Sequence, residues 1–179
     1  MGNPWRTALN HPYASHITMD KSPIVRFNLL ATVVFAVAAV VTAVVFDDTT
    51  RVVIVIVSLG LFAVGVATFL LGFFAAVQRS RADEIAVSQL FFLAGSVAPQ
   101  QVKRPMLAAL AAQTLVGIAC AIARPSTDGK SGSVLAFGVL VPMLGLGLNG
   151  LWASKHGKFA ERSLQTAAAE GIEGAESGE

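Results

Sequence analysis

The sequence predicts an all-α integral membrane protein with four transmembrane helices and a short interfacial helix between the second and third. Three observations lead to this fold class. Hydrophobic residues make up 54% of the 179 residues and charged residues 13%, whereas about a quarter of the residues of soluble domains are charged. The apolar residues form four long blocks without charge, and most basic residues lie on one side of these blocks. A single membrane domain is therefore expected.

The four uncharged blocks define the predicted spans, which are residues 27–46, 52–77, 106–123 and 134–152. A helix rises about 1.5 Å per residue, so about 20 residues cross the roughly 30 Å hydrocarbon layer of a bilayer. The blocks are rich in valine, but they are longer than barrel strands, and an open sheet would leave peptide groups unsatisfied in lipid. We expect a transmembrane domain over residues 27–153, a polar N-terminal segment over 1–26 and a mostly disordered tail over 154–179.

The basic residues predict the orientation of the spans. Ten of the thirteen Lys and Arg residues fall on the side that holds both chain termini: Arg6, Lys21, Arg26, Arg79, Arg81, Lys103, Arg104, Lys155, Lys158 and Arg162. The opposite side holds only Arg51, Arg124 and Lys130. Because cytoplasmic loops carry the excess of positive charge, we expect a multi-pass protein of the plasma (inner) membrane with both termini in the cytoplasm. The same asymmetry accounts for the net charge of +2 without a nucleic-acid partner.

The first connection, "DDTTR" at residues 47–51, predicts a tight helical hairpin. Asp48, Thr49 or Thr50 can cap the second helix, because these side chains accept hydrogen bonds from free N–H groups and a carboxylate suits the positive end of a helix. Calcium binding is the alternative for two adjacent aspartates, but one short turn offers few of the six to eight oxygen ligands that calcium takes. Capping is the expected role, and no metal site is predicted.

The connection between the second and third spans predicts a further helix. Asp83 and Glu84 suit a helix N-terminus, apolar residues follow them, and Gly95 and Pro99 would end the helix. We expect a short helix over residues 82–94 that lies at the cytoplasmic membrane surface. A loop tucked under the bundle is the alternative.

The stretch "GLGLNG", residues 145–150, matches the G-x-G-x-x-G pattern of dinucleotide-binding sites. Such a site needs a strand directly before the glycines, and a central strand would not tolerate Pro142. In a membrane, glycines instead let helix backbones approach each other closely. We therefore expect no cofactor and assign to helix packing four residues of the fourth span, which are Gly138, Gly145, Gly147 and Asn149.

The third span repeats small or amide side chains every four residues, at Ala109, Gln113, Gly117 and Ala121. This spacing places the four residues near one face of a helix. Faces of small residues are typical of helix contacts in lipid, where Gln and Asn side chains also form hydrogen bonds between helices. The third and fourth spans are therefore expected to provide helix-packing or partner-interface surfaces.

The residue types that catalysis and ion transport usually need are missing from the predicted spans. None of the four blocks contains Asp, Glu, Lys, Arg or His, although ion pathways and proton relays usually place such residues in the membrane. Cys120 is the only cysteine, which excludes a CxxC redox centre and an internal disulfide. The sequence contains no hydrolase, zinc-protease or phosphate-loop motif. We expect no catalytic residue, and the protein is not expected to be an enzyme.

The Ala- and Val-rich composition, the polar N-terminal segment, the "FDDTTR" hairpin and the amphipathic loop resemble small four-span actinobacterial membrane proteins. One such group comprises the accessory subunits of Mce-type lipid transporters of mycobacteria. The resemblance covers residues 25–162, and it implies binding to transporter permease subunits with no catalytic residue to carry over.

The residues themselves lead us to expect a non-catalytic accessory or scaffolding subunit of a larger membrane complex. Its partners would be membrane lipids and other integral membrane subunits. Two alternatives stay open. One is a homo-oligomeric carrier or channel, and the other is a lipid-modifying membrane enzyme whose site has no recognised motif.

Overall fold

The structure, a computed structural model, describes residues 22–127 and 129–161, and within them four helical segments are long and apolar enough to cross a membrane. The helical elements are α1 (Pro23–Val45), α2 (Asp48–Arg79), α3 (Val87–Phe92), α4 (Gln100–Ala123), a 3-10 segment (Val134–Leu140) and α5 (Pro142–His156). The prediction of a helical protein with four candidate spans is confirmed. The predicted disordered tail beyond residue 161 and the N-terminal residues 1–21 lie outside the described residues.

Two short antiparallel ribbons join loops at the two ends of the bundle. Strand β1 (Asp83–Glu84) pairs with β4 (Ala160–Glu161), and β2 (Ser126–Thr127) pairs with β3 (Lys130–Ser131). The first ribbon ties the connection after α2 to the segment after α5. We call the end of the bundle where α1 begins and α5 ends the basic end.

The fourth span, formed by the 3-10 segment and α5, is the central element of the bundle. Half of its apolar window (50%) is buried inside the molecule, compared with 17% for α2. The fourth span packs against both α2 and α4, and α1 completes the bundle by contacting the same two helices. The core therefore follows the fourth span, with Phe35 and Ile54 buried at one end and Met106, Leu144 and Trp152 towards the other.

The fourth span is not one continuous α-helix, unlike the predicted helix over residues 134–152. Its first part is a 3-10 helix that ends at Leu140, and α5 begins at Pro142. The physical reason is Pro142, which has no N–H donor for a helix that continues through it but suits the first position of a new helix. The helix type therefore changes at this proline.

The first helical hairpin is capped by Asp47, one residue before the three that the sequence indicates. Asp47 Oδ1 accepts a hydrogen bond from Thr50 N at 2.8 Å, and Asp47 N donates to Thr50 Oγ1 at 3.2 Å. Hydrogen bonding of the Asp47 carboxyl to the Thr50 side chain and backbone holds the pKa of this carboxyl below its ordinary value. Asp48 instead lies in the first turn of α2, where its charge suits the helix dipole.

The interfacial helix predicted over residues 82–94 is only six residues long in the structure, α3. Asp83 and Glu84 do not start a helix, because their backbones pair with β4. The helix ends at Leu93, which adopts a left-handed conformation with a φ of 51°. Among the described non-glycine residues, only Phe46 also has a positive φ. Leu90 and Phe91 are buried, and α3 packs against α5. The location of α3 at the cytoplasmic membrane surface stays a prediction.

Candidate functional site

Gln113, in the middle of α4, connects three helices through one side chain. It is fully buried. Its Nε2 donates to Thr32 Oγ1 at 2.8 Å and to Asn28 Oδ1 at 3.1 Å, both on α1. Its Oε1 accepts a hydrogen bond from Gly145 N of α5 at 3.2 Å. Gln113 thus joins α4 to both α1 and α5 by hydrogen bonds.

The bond to Gly145 has a local cause in the break of the fourth span. The first N–H groups of an α-helix have no acceptor within the helix, and Val141, which precedes α5, has no polar side chain with which to cap it. Leu144 N donates to Val141 O at 2.8 Å, and Gly145 N finds its acceptor on Gln113. A Cβ at residue 145 would lie 2.9 Å from Gln113 Oε1. Glycine is therefore what allows α4 to cap α5.

The same network fixes the direction of two buried amides. Gly145 N requires the oxygen of Gln113, so the nitrogen of Gln113 must face Asn28 Oδ1. Asn28 Nδ2 is consequently left without a hydrogen-bond partner among the described residues. Asn149 Nδ2 donates to Phe91 O at 2.9 Å, which holds α3 against α5, and Asn149 Oδ1 has no described partner.

Glycines bring α2 and α5 into backbone contact. A Cβ at Gly65 would lie 2.5 Å from Leu144 N, and one at Gly72 would lie 2.7 Å from the Gly150 carbonyl carbon. A Cβ at Gly147 would meet the Gly65 carbonyl oxygen. The sequence reasoning missed Gly65 and Gly72, although their spacing of seven residues within one span is the signal that could have identified them.

The predicted face of α4 contacts the fourth span of the same chain. A Cβ at Gly117 would lie 2.7 Å from the Gly138 carbonyl oxygen, and Gly138 itself lies against the ring of Phe35. Ala109 is buried and Ala121 is partly buried. The residues assigned to helix packing from the sequence are buried, except for Ala121, which is partly buried: Ala109, Gln113, Gly117, Ala121, Gly138, Gly145, Gly147 and Asn149.

One further set of small residues points away from the bundle. Gly60, Ala63 and Ala67 are exposed and follow each other at three- and four-residue spacing on α2, opposite its buried face. A Cβ at Gly60 would meet no described atom within 4 Å. We call these three residues the open face of α2. The sequence did not indicate this face, because large apolar residues surround the three small ones in the second span.

Asp83, near the basic end, has a structural partner in Arg79. Arg79 Nε lies 2.5 Å from Asp83 Oδ2, Arg79 Nη1 donates to Ser154 O at 3.4 Å, and the guanidinium covers the ring of Phe159 at 5.0 Å. Asp83 therefore helps to hold the end of α2 against the end of α5. Within the described ranges, no group of three or more His, Cys, Asp or Glu side chains could hold a metal ion.

Comparisons with protein-family models, with curated proteins and with solved structures found no match for this chain. The resemblance to accessory subunits of Mce-type transporters therefore stays a prediction. The contacts within the bundle and the open face of α2 are the features from which a function can be argued.

Proposed function

We propose that the protein is a non-catalytic accessory or scaffolding subunit of a larger complex in the plasma (inner) membrane. Both termini would lie in the cytoplasm, as the basic residues indicate, and α3 would lie near the cytoplasmic membrane surface. The observation that carries the proposal is the open face of α2, whose small side chains are exposed and against whose Gly60 no residue of the described ranges packs.

The inner contacts of the bundle support a structural role. The buried amides Gln113 and Asn149 hydrogen-bond between elements, and the glycines of α2, α4 and α5 close backbone contacts. The ionisable side chains of the four spans lie at the helix ends in the described ranges. These features favour a stable four-helix unit over a unit that transfers protons or ions through its own interior.

The open face of α2 supports a partner that is itself a transmembrane helix. Glycine costs a helix about 1 kcal/mol relative to alanine, so Gly60 brings no benefit to an isolated lipid-facing helix. Against a second helix, the same residue permits close backbone approach, which is a main source of attraction in lipid. The partner is therefore proposed to be another integral membrane subunit, with a transporter permease as the candidate that the resemblance to Mce-type systems implies.

The outer surface gives less support to the homo-oligomeric carrier or channel. Many large apolar side chains are exposed on α1, α2 and α4, for example Leu30, Ile56, Leu115 and Ile122. A pore or carrier site formed between copies of this chain would need polar groups along such a surface. Association with another protein through α2 requires only a complementary apolar helix.

Photocrosslinking in the native membrane tests the proposal. A photoreactive amino acid at Ala63, on the open face of α2, should crosslink to a different membrane protein that mass spectrometry can identify. The same amino acid at Val37, which is exposed on α1, is the matched control and should give no crosslink to that protein. Crosslinks from Ala63 only to a second copy of this chain would favour the oligomeric alternative, and their complete absence in folded protein would refute docking on α2.

A further inference from the structure

The charges at the basic end are unevenly distributed. Among the described residues, this end carries seven Lys or Arg residues, which are Arg26, Arg79, Arg81, Lys103, Arg104, Lys155 and Lys158. The acidic residues there are Asp83, Glu84 and Glu161, and all three belong to the β1–β4 ribbon. Arg79 pairs with Asp83. Among the described residues of this end, the negative charge is confined to the ribbon, and none of these acidic side chains pairs with the cations at the start of α4.

Lys103 and Arg104 lie in the first turns of α4, where helix stability does not favour them. The positive end of the helix dipole repels cations, and the first turn contains no acidic residue to offset them. Lys103 Nζ donates to Gly95 O at 3.4 Å. Arg104 is exposed and forms no ion pair within the described part of the chain. These two cations are therefore available to a negatively charged ligand.

An exposed aromatic side chain lies close to these cations along the chain. Phe92, the last residue of α3, is 52% exposed, although Phe91 and Leu93 on either side of it are buried. Lys103 hydrogen-bonds to the carbonyl oxygen of Gly95, which lies three residues after Phe92 in the sequence. An exposed apolar ring at the end of the bundle that carries the basic groups suits the boundary between lipid headgroups and acyl chains.

We propose that Phe92, Lys103 and Arg104, called here the α3–α4 surface, bind an anionic phospholipid of the leaflet at the basic end. Lys103 and Arg104 bind the phosphate of the headgroup, and the planar guanidinium can donate two parallel hydrogen bonds to it. Phe92 contacts the apolar part of the same lipid. An acidic protein segment would match the two charges but would not need the exposed ring. This site is independent of partner docking on α2.

Native mass spectrometry of the full chain with equimolar phosphatidylglycerol and phosphatidylcholine tests the site. The wild type should retain phosphatidylglycerol preferentially. The double variant Lys103→Gln and Arg104→Gln should lose about tenfold in phosphatidylglycerol retention, because it removes the two side chains proposed to bind the headgroup phosphate directly. The matched control, Lys155→Gln with Lys158→Gln, removes the same charge at the same end from exposed positions and should retain the wild-type preference.

Three results would overturn the site. Equal losses in the two double variants would show that only the overall charge attracts lipid. No preference for phosphatidylglycerol in the folded wild type would remove the anionic ligand. Lipid retention that appears only after deletion of residues 163–179 would assign the surface to the acidic tail of the chain. The variant Phe92→Ser should lower retention of phosphatidylglycerol without removing charge, and an unchanged value would exclude the ring from the site.

Discussion

Gln113 of α4 caps the N-terminus of the neighbouring helix α5. The break before α5 leaves Gly145 N without an acceptor in its own helix, and Gln113 Oε1 supplies one at 3.2 Å. The sequence identifies Gln113 as a polar residue on a small-residue face, which is enough to predict a bond between helices. The sequence does not identify the partners of Gln113 on α1 and α5. The free N–H group of Gly145 arises from the change from 3-10 helix to α-helix at Pro142, which depends on packing around the fourth span.

Replacing Gln113 by leucine should destabilise the bundle more than an average polar substitution in a membrane protein. Gln113→Leu leaves Gly145 N and the α1 side chains without their partner. Hydrogen bonds between membrane helices contribute about 0.6 kcal/mol on average, so we expect a loss of about 1–2 kcal/mol from three bonds. Unfolding by SDS in mixed micelles measures this difference.

The matched control for that measurement is Thr114→Val in the same helix. The Thr114 hydroxyl donates only within α4, to Leu110 O at 2.9 Å, and valine has a similar shape. We expect little change in the free energy of unfolding. Equal losses for Gln113→Leu and Thr114→Val would contradict a special role for the bonds between helices.

At the scale of elements, α2 carries small residues on two opposite faces. Gly65 and Gly72 contact α5, and Gly60 faces outwards. The sequence alone does not reveal these two small-residue faces, because large apolar residues surround both of them. In a membrane span, hydrophobicity does not distinguish an inner from an outer face. Only the contacts of each glycine separate the two faces.

The same substitution at two glycines of α2 should therefore give opposite results. Gly65→Ala places a Cβ 2.5 Å from Leu144 N, and such overpacking costs about 1–3 kcal/mol. Gly60→Ala meets no described atom within 4 Å and should be neutral or slightly stabilising, because alanine favours helix. Thermal unfolding in detergent measures both variants. A similar loss at Gly60 would show that the open face of α2 is already occupied in the isolated protein.

The short elements show where sequence patterns stop being informative. Asp83 and Glu84 suit the start of a helix, yet they form a strand because residues of β4, distant in sequence, pair with them. The long spans were predictable because twenty or so uncharged residues admit few alternatives in lipid. The ends of α1 and α4 extend beyond the uncharged blocks, to Pro23 and Gln100, since a helix can continue past the hydrocarbon layer into water.

At the scale of the whole molecule, the basic residues predict the orientation in the membrane. Single cysteines at Thr127 and Ser177, in a Cys120→Ser background, should react differently with an impermeant thiol reagent on intact cells. Thr127→Cys should be labelled, because it lies at the end with fewer basic residues. Ser177→Cys should react only after lysis, and its labelling on intact cells would reverse the orientation.

The proposal that this bundle docks another subunit through α2 is tested most directly by two leucine substitutions. Both Gly60→Leu and Gly117→Leu add the same side chain, but Gly117 lies against Gly138 within the chain, whereas Gly60 faces outwards. The measurement is the amount of folded protein and of co-purified partner, after mild detergent extraction, for each variant and for Val37→Leu as an outer control on α1. We expect Gly117→Leu to lose folded protein, and Gly60→Leu to keep its folded level and lose the partner. Full partner recovery with Gly60→Leu would contradict docking on the open face of α2.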